Sequence, residues 1–345
     1  MRQQSACAIA VTLVGLFTGC SRGSSTLPRA ESPFSPSSPN LAIASSCRTI
    51  LSNTDSLRLK QDLAGPDPCL VFLGGSGELD CQGHAVQGIR LSDTHDFSIR
   101  NCRTPSITAT HSTQLTLSDN IIVADRQKTI GAAVWLADGQ SNPVVQNTID
   151  GGWHGEPWGA GGGYPPGADD GVVMDNEANT VIDGNTIRNV WDCGIERLGN
   201  RTDSVTVRNN TINNAAECAI GSWFAAGWRD SVFAGNSVSN TGLLIDFYFS
   251  PNQNHGVDHL TLRNNVFENN RFVNPSNRNS PSLRIDFGTS SSRSGMPVDV
   301  GNNILRDNDF GADVMAPLLL PTFGFIDAGG NVCRGNGAST LTCAR

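Results

Sequence analysis

An asparagine followed by β-branched residues recurs through most of this chain. The motifs read DNIIVAD, QNTIDGG, GNTIRNV, NNTINNA, GNSVSNT, NNVFENN, NNILRDN and GNVCRGN, around Asn120, Asn147, Asn185, Asn210, Asn236, Asn265, Asn303 and Asn331. Successive copies are 25 to 38 residues apart. Repeats of about this length are typical of solenoids, in which each unit buries its apolar face against its neighbours.

The residues around each asparagine predict short strands. Runs such as VTVRNNTI and LTLRNNVF alternate apolar and polar side chains, which is the pattern of a half-buried strand. Aromatic residues make up 6% of the chain and charged residues 16%, whereas glycine occurs 37 times. Such a composition favours turns over helix interiors. Because stacked strands lie ~4.8 Å apart, we expect the asparagines to form a hydrogen-bonded ladder with a structural role.

Three longer stretches, SVTVRNNTINNAAECAIG, NTVIDGNTIRNVWDCGI and SGELDCQGHAVQGIRLSDTHDFSIRNC, resemble rungs of the right-handed parallel β-helix, or pectin-lyase-like, superfamily. The resemblance implies an all-β solenoid over residues 47–345. It implies no single activity, since hydrolases, lyases, epimerases, adhesins and inert spacers share such rungs. DDGV and WDCGI are similar to the first motifs of polygalacturonases, but ECAIG stands where those enzymes have GHG, and no RIK follows. No catalytic residue is therefore carried over from them.

The N-terminal residues predict export. Arg2 precedes the apolar run AIAVTLVGLF, which is too short to span a bilayer, and the following FTGC resembles a bacterial lipoprotein box. We expect a signal peptide over residues 1–19, acylation of Cys20, and a Ser/Pro-rich tether over residues 20–46. The protein would then be exported to the bacterial cell envelope and held to a membrane only through its lipid anchor. Ordinary signal cleavage is the alternative.

The remaining cysteines predict disulfides. Apart from Cys7 in the signal and Cys20, they form four neighbouring pairs: Cys47 with Cys69, Cys81 with Cys102, Cys193 with Cys218, and Cys333 with Cys343. An even number of cysteines in an exported chain favours disulfide bridges. Cys193 and Cys218 each follow a rung asparagine by eight residues, so they should stack. The absence of a CxxC spacing argues against a zinc site.

The charge and the solenoid plan restrict the partners. A net charge of −8 argues against nucleic acid, whose phosphates need a basic surface. Solenoids present extended binding surfaces rather than closed pockets, so a polymer suits them better than a small ligand. We therefore expect a monomer whose partner is a polysaccharide.

One set of strands carries most of the acidic residues. DDGVV, DCGIE, ECAIG, GLLID and SLRID align on an apolar position occupied by Val172, Ile195, Ile220, Ile245 and Ile285. If that position faces the core, alternation turns Cys193 and Cys218 inward and the neighbouring residues outward. Carboxylates would then line a floor of small residues that includes Gly194, Ala219 and Gly221. The candidate catalytic residues are Asp192, Glu196, Glu217 and Asp246.

These carboxylates fit three interpretations. Glycoside hydrolysis needs two carboxyl groups, ~5–5.5 Å apart for retention of configuration or ~6.5–9.5 Å for inversion. Asp192 and Glu217, one rung apart, suit the first spacing, and Glu196 and Asp246, two rungs apart, suit the second. The cluster would alternatively bind Ca²⁺, the only cofactor that the sequence suggests, although we assign no metal ligands. The third interpretation is a solvated acidic face without a function.

Aromatic residues concentrate near the same strands and are candidate platforms for sugar rings. The candidate substrate-binding residues are Trp153, Trp158, Tyr164, Trp191, Trp223 and Trp228, with Arg197 and Arg284 as partners for uronate carboxylates. The alternatives are aromatic packing against the solenoid and structural ion pairs for the arginines. The sequence thus predicts a lipid-anchored β-helix that binds a polysaccharide and, if it is an enzyme, cleaves it by hydrolysis or elimination. A non-catalytic surface adhesin or envelope spacer is the alternative function.

Overall fold

The computed structural model describes residues 41–53, 56–157, 163–249, 259–273, 283–286, 298–312 and 325–334. The regular structure in these ranges is β-strand, which confirms the all-β prediction. No helix in these ranges is long and apolar enough to cross a membrane. The predicted signal peptide, Cys20 and most of the predicted tether lie outside the described residues, so they stay predictions.

The strands are short and follow one another closely. The first are β1 Leu41–Ala44, β2 Arg48–Asn53, β3 Ser56–Leu59, β4 Leu70–Gly75, β5 Gly77–Asp80, β6 Ile89–Ser92, β7 Phe97–Arg100, β8 Arg103–Thr104, β9 Ile107–Thr110, β10 Thr116–Ser118 and β11 Ile121–Val123. The next are β12 Thr129–Ala137, β13 Val144–Val145, β14 Thr148–Asp150, β15 Gly167–Asp175, β16 Val181–Asp183, β17 Thr186–Val190, β18 Cys193–Gly199, β19 Thr206–Arg208, β20 Thr211–Ala215, β21 Cys218–Ala225 and β22 Gly227–Arg229. The last are β23 Val232–Ala234, β24 Ser237–Ser239, β25 Leu243–Tyr248, β26 Leu260–Arg263, β27 Val266–Glu268, β28 Arg271–Val273, β29 Leu283–Asp286, β30 Val298–Gly301, β31 Asn303–Arg306, β32 Asp309–Ala312, β33 Phe325–Asp327 and β34 Val332–Arg334.

The strands form three long parallel sheets. Sheet 1 contains β1, β3, β5, β7, β10, β13, β16, β19, β23, β27, β31 and β33; sheet 2 contains β8, β11, β14, β17, β20, β24, β28, β32 and β34; sheet 3 contains β2, β4, β6, β9, β12, β15, β18, β21, β25 and β29. A short fourth sheet joins β22, β26 and β30. One turn visits sheets 1, 2 and 3 in order, as β16, β17 and β18 do, and the next turn pairs with it. The predicted parallel β-helix is confirmed.

Apolar side chains from all three sheets fill the interior. Val207 of sheet 1, Ile212 of sheet 2 and Ile220 of sheet 3 are fully buried within a single turn. Phenylalanines occupy later turns, where Phe233 stacks on Phe267 with ring centroids 4.7 Å apart. Strands this short are not stable alone, so packing of these side chains against the neighbouring turns holds each one in place.

A ladder of buried asparagines occupies the turn between sheets 1 and 2. Oδ1 of Asn185 accepts hydrogen bonds from the backbone N–H (2.9 Å) and from Nδ2 (3.0 Å) of Asn147, one turn earlier. The members are Asn120, Asn147, Asn185, Asn210, Asn236, Asn270, Asn308 and Asn331. Placing Asn265 and Asn303 in this ladder is wrong, because they bond to each other at the turn between the fourth sheet and sheet 1. Their motifs, NNVFENN and NNILRDN, carry an asparagine at both turns.

Three of the four predicted disulfides are confirmed. Cys47–Cys69, Cys81–Cys102 and Cys193–Cys218 join neighbouring turns with Cα atoms 4.6, 4.7 and 4.6 Å apart. Cys343 lies outside the described residues, so its pairing with Cys333 stays a prediction. Strand β1 pairs with β3, so the last residues of the predicted tether are part of the folded solenoid.

Candidate functional site

One row of outward side chains runs along sheet 3. Consecutive members are paired in register from β4 to β29. From its N-terminal end this central row reads Val71, Arg90, Thr108, Trp135, Val173, Glu196, Gly221, Asp246 and Arg284. Neighbouring members are one strand spacing, ~4.8 Å, apart. The row therefore places charged and aromatic groups at regular steps along one face.

Two consecutive residues face the interior near the start of each strand in the middle of sheet 3. A Cβ on Gly194 would lie 2.6 Å from a core isoleucine, and the next residue, Ile195, is also in the core. The residue before each such pair, Cys193 in this strand, therefore faces outward. Cys193 and Cys218 lie beside Gly221, where a Cβ would be 2.5 Å from Sγ of Cys218. The inward direction predicted for this disulfide is wrong, and of the predicted small floor only Gly221 faces outward.

Three carboxylic residues stack at the entrance to the middle strands of sheet 3. The backbone N–H of Asp192 donates to the carbonyl of Asp169 (2.8 Å), and that of Glu217 donates to the carbonyl of Asp192 (3.1 Å). Asp192 and Glu217 are therefore one rung apart, as predicted. Two more carboxyl groups, Asp170 and Glu196, lie behind this stack and are 3% and 4% exposed. The site thus gathers five carboxyl groups from three turns.

Burial and crowding raise the pKa values of the carboxyl groups in this cluster. Burial raises the pKa of Asp192 well above its usual range, and the negative charges of Asp170, Asp169 and Glu217 raise it further. Burial also raises the pKa of Asp170 and of Glu196 well above their usual ranges, and the charges of neighbouring carboxylates add to the effect. The hydrogen bond between these two raises the pKa of Glu196 and acts to lower that of Asp170, as expected when Glu196 is the donor. Burial and the neighbouring carboxylates therefore favour the protonated forms of Asp192 and Glu196.

The cluster opens into a pocket of about 810 Å³ with aromatic walls. The aromatic residues that line it are Trp135, Tyr164, Trp191, Trp223 and Phe224. Tyr164 meets Trp191 edge-on with centroids 6.1 Å apart. Apolar packing among Ala132, Val173 and Leu198, with Trp135 and Trp223 against them, supports the wall. Apolar surface beside a few convergent polar groups is typical of a ligand-binding site.

A bulge in β21 aims two consecutive aromatic residues into this pocket. Its register against β18 shifts between the pairs Arg197–Ser222 and Gly199–Ala225, and Phe224 has a φ of 52°. Bulges redirect side chains near functional sites, and a positive φ is strained for a bulky residue. Phe224 was not predicted to belong to the site, because nothing in the sequence SWFAAG indicates that the strand carries a bulge.

Asp246 and Arg284 form an ion pair beside the pocket. Nε of Arg284 donates to Oδ1 of Asp246 (2.9 Å), and Nη2 donates to Oδ2. The Asp246 side chain is fully buried, and it does not line the pocket with Glu196. The predicted inverting couple of Glu196 and Asp246 therefore has no open space between two accessible carboxyl groups. The predicted alignment of Ile285 with Ile245 is also wrong, since Leu283 is the partner of Ile245.

Arg197 and Trp228, both predicted to bind substrate, lie inside the solenoid. The Arg197 side chain is fully buried and its guanidinium donates to the backbone carbonyls of Asp203 (3.1 Å) and Glu177 (3.3 Å). It lies 5.1 Å from the ring centroid of Trp228, which itself stacks on Phe247. Burial lowers the pKa of Arg197 to about 9. Both predictions are wrong, because these side chains point into the core, where cation–π contact and carbonyl oxygens stabilise the guanidinium.

The remaining predicted aromatic residues divide between the pocket and its surroundings. Tyr164, Trp191 and Trp223 line the pocket, as predicted. Trp153 does not line it, and its indole N–H donates to the carbonyl of Glu156 (2.9 Å). Trp158 lies outside the described residues. The sequence analysis missed Trp135, although its alignment with Val173 in TIGAAVWLA would have placed it on the central row.

One group of potential metal ligands is present among the described residues. Oxygen atoms of Asp170 and Asp192 and Sγ of Cys193 lie within 4.8 Å of one another. That sulfur is bonded to Cys218, so it is not the thiolate that binds metals. Two carboxylates fall short of the six to eight oxygens that Ca²⁺ takes. Ca²⁺ binding stays a prediction.

Comparison with known proteins supports the same architecture. Residues 87–248 match the family described as a right handed beta helix region. Two structures of PfbA, a surface adhesin of Streptococcus pneumoniae, have TM-scores of 0.52 and 0.51 at 8% and 10% identity, covering 87% and 80% of this chain and 90% and 81% of theirs. The Dettilon tailspike protein has a TM-score of 0.48 at 14% identity over 88% of this chain, which spans 60% of the tailspike chain. No curated protein matches the sequence significantly. At such identities the likeness is one of fold.

Proposed function

Since the chain forms a right-handed parallel β-helix, we propose that it binds a polysaccharide on sheet 3 and hydrolyses a glycosidic bond there. The observation that carries this proposal is the position of Asp192, a buried carboxyl group between Asp169 and Glu217 in a pocket with aromatic walls, where burial and like charges raise its pKa well above the usual range. A carboxylic acid whose pKa is raised by burial and like charges is suited to act as a general acid.

The spacing of Asp192 and Glu217 suits a retaining mechanism. One rung, ~4.8 Å, separates their backbones, close to the ~5–5.5 Å between the two carboxyl groups of retaining glycosidases. Asp192 gives its proton to the glycosidic oxygen as the bond to the anomeric carbon breaks, and the Glu217 carboxylate adds to that carbon. A water molecule then adds to the same carbon, returns its proton to Asp192 and releases Glu217.

The charge of the pocket favours hydrolysis of a neutral sugar over elimination from a uronate. A lyase must stabilise negative charge that develops on the uronate as its α-proton leaves. None of the described residues that line the pocket is Lys, Arg or His. A uronate there would instead meet Asp169, Asp170 and Asp192, whose raised pKa values show that burial and crowding disfavour negative charge in this part of the pocket. We therefore assign a neutral sugar unit to the pocket.

Trp223 should bind the sugar at this pocket. Its indole Nε1 is buried without a hydrogen-bond partner, and its ring lies against Tyr248 with centroids 4.7 Å apart. We expect Trp223→Ala to raise KM about tenfold with little change in kcat, because a buried aromatic anchor commonly contributes more than 1 kcal/mol to binding. Steady-state kinetics of Trp223→Ala and of the control Trp153→Ala, outside the pocket, measure this. Equal effects in the two variants would contradict the role of Trp223.

A depolymerisation screen tests the proposed function. Neutral and acidic polysaccharides are incubated with the protein, with and without Ca²⁺, and both new reducing ends and the absorbance of unsaturated products are recorded. We expect new reducing ends without unsaturated products. Unsaturated products would show that elimination is the reaction, and binding without any cleavage would favour the adhesin alternative.

We also propose that the protein is exported and anchored through Cys20. Three disulfides within the described residues support an oxidising compartment. Mass spectrometry of the mature N-terminus tests the anchor, and an unmodified Cys20 would refute it.

A further inference from the structure

We infer that a second site on the same face, centred on Arg90, binds an anionic unit of the polysaccharide. The inference rests on the proposed function, because it takes the polymer to run along sheet 3. Arg90 and Glu196 belong to the central row, with Thr108, Trp135 and Val173 between them. Four strand spacings, ~19 Å in all, therefore separate Arg90 from the acidic cluster.

The Arg90 site is a pocket adjacent to the first one. It has a volume of about 400 Å³ and shares Ile130, Gly131 and Trp135 with the pocket above the carboxyl groups. Gly131 allows the Trp135 ring to lie close to the strand, since a Cβ at this glycine would be 2.8 Å from that ring. Trp135 thus stands between the two pockets and can contact a sugar in either. The shared residues place the two pockets side by side along the face that a bound polymer would follow.

Arg90 is available to an incoming anion. Its side chain is exposed, and among the described residues no carboxylate forms an ion pair with it. The acid at the edge of this pocket, Asp67, lies 3.7 Å from Nζ of Lys128. Ser106, Thr108 and Thr110 add hydroxyl groups to the lining. A planar guanidinium beside hydroxyl groups matches a carboxylate or sulfate, which it can bind through two parallel hydrogen bonds.

The two pockets have opposite electrostatic preferences. Negative charge is disfavoured at the buried carboxyl cluster and favoured beside the Arg90 guanidinium, so a polymer charged at every unit fits only one of the two pockets. The face as a whole fits a heteropolysaccharide in which an anionic unit is separated from the neutral unit that is cleaved. A homopolymer of uronate should therefore bind less well than a polymer with spaced charges.

Pairs of oligosaccharides that differ only in their carboxyl groups test this site. Fragments of hyaluronan and gellan, each with its carboxyl-reduced counterpart, are titrated calorimetrically into wild type, Arg90→Gln and Arg271→Gln. Arg271 is an exposed arginine on sheet 2, so its variant controls for loss of net charge. We expect Arg90→Gln to weaken binding of a carboxylated fragment about tenfold, since hydrogen bonds between charged groups are strong. Binding of the reduced fragments, and every affinity of Arg271→Gln, should stay unchanged.

The outcomes separate this inference from the proposed function. If wild type binds both members of every pair equally and Arg90→Gln changes neither, the anionic site is refuted while polysaccharide binding stands. An equal loss in Arg90→Gln and Arg271→Gln would also refute it, because the effect would be one of overall charge. If wild type binds no fragment and cleaves no polymer in the screen, both proposals fail together.

Discussion

Replacing Asp192 with asparagine should lower kcat by ~10²–10⁴-fold on the polysaccharide that wild type cleaves best, the range that a general acid contributes. The amide has nearly the same size and cannot deliver a proton to the leaving oxygen. The fold should persist, because the change removes a buried carboxyl group that its neighbours Asp170, Asp169 and Glu217 already disfavour in its charged form. Steady-state kinetics and a thermal melt of the same preparation measure both effects.

Companion variants show whether the loss is specific to the site. Glu217→Gln should lower kcat to a similar degree. The kcat of the double variant should be no lower than that of the less active single variant, because the effects of residues that act in one step are not additive. Asp93→Asn removes an exposed carboxylate that does not line the pocket and should retain full activity. Full activity in Asp192→Asn would refute the assignment of the general acid.

The protein should become less stable as the pH rises from about 4 to 7. Burial raises the pKa of Asp169 and of Glu177 to about 7, whereas carboxyl groups in the unfolded chain titrate near ~4. Between these values the folded state keeps protons that the unfolded state has lost. The free energy of unfolding therefore falls by ~1.4 kcal/mol per pH unit for each such group. Below about pH 4 both states are protonated, and this loss disappears.

Other groups oppose this trend in stronger acid. Although burial acts to raise it, hydrogen bonds from Asn189 and Gly152 and the charge of Arg188 lower the pKa of Asp150 below its usual value. The stability that Asp150 contributes is present above about pH 4 and is lost as the pH falls through its lowered pKa. Melting temperatures across the range should therefore be highest near pH 4 to 5.

Glu196→Gln should make this pH dependence shallower. The variant removes one carboxyl group whose pKa is raised by burial and by Asp170, and its amide still donates a hydrogen bond to Asp170. Its melting temperature should exceed that of wild type at pH 7 and should match it near pH 4. Asp119→Asn removes an exposed carboxylate that forms no ion pair among the described residues, so this control variant should follow wild type. A wild-type melting temperature that rises from pH 4 to 7 would contradict the protonated cluster.

The sequence predicted the solenoid because its repeats follow from local chemistry. The asparagine ladder and the stacked cysteines depend on spacing along the chain, and spacing can be read directly. The errors at Asn265 and Asn303 arose where two turns of one rung carry the same residue type. Local sequence does not distinguish those turns, and only the pairing of whole strands does.

The candidate site was predicted in part, and its errors have two causes. Alternation correctly places Glu196 and Gly221 on the outer face. It fails just before Ile195, because Gly194 and Ile195 both face the core, so Cys193 faces outward. Asp170 faces outward for the same reason in the preceding turn. Arg197 was predicted to bind a uronate carboxylate, although a position two residues after Ile195 alternates towards the core. Its partners are backbone carbonyls and the Trp228 ring, and no sequence pattern predicts these contacts.

The regular stacking of sheet 3 fixes distances along this face in units of one whole turn. The distance between Arg90 and the carboxyl cluster is fixed by the number of strands between them, so it can change only in steps of ~4.8 Å. Duplication or deletion of one turn between them would move the anionic site by one strand spacing and leave the residues of each pocket together. The spacing of charges that such a protein selects would therefore evolve through gain and loss of entire turns, while point substitutions adjust only the strength of each site.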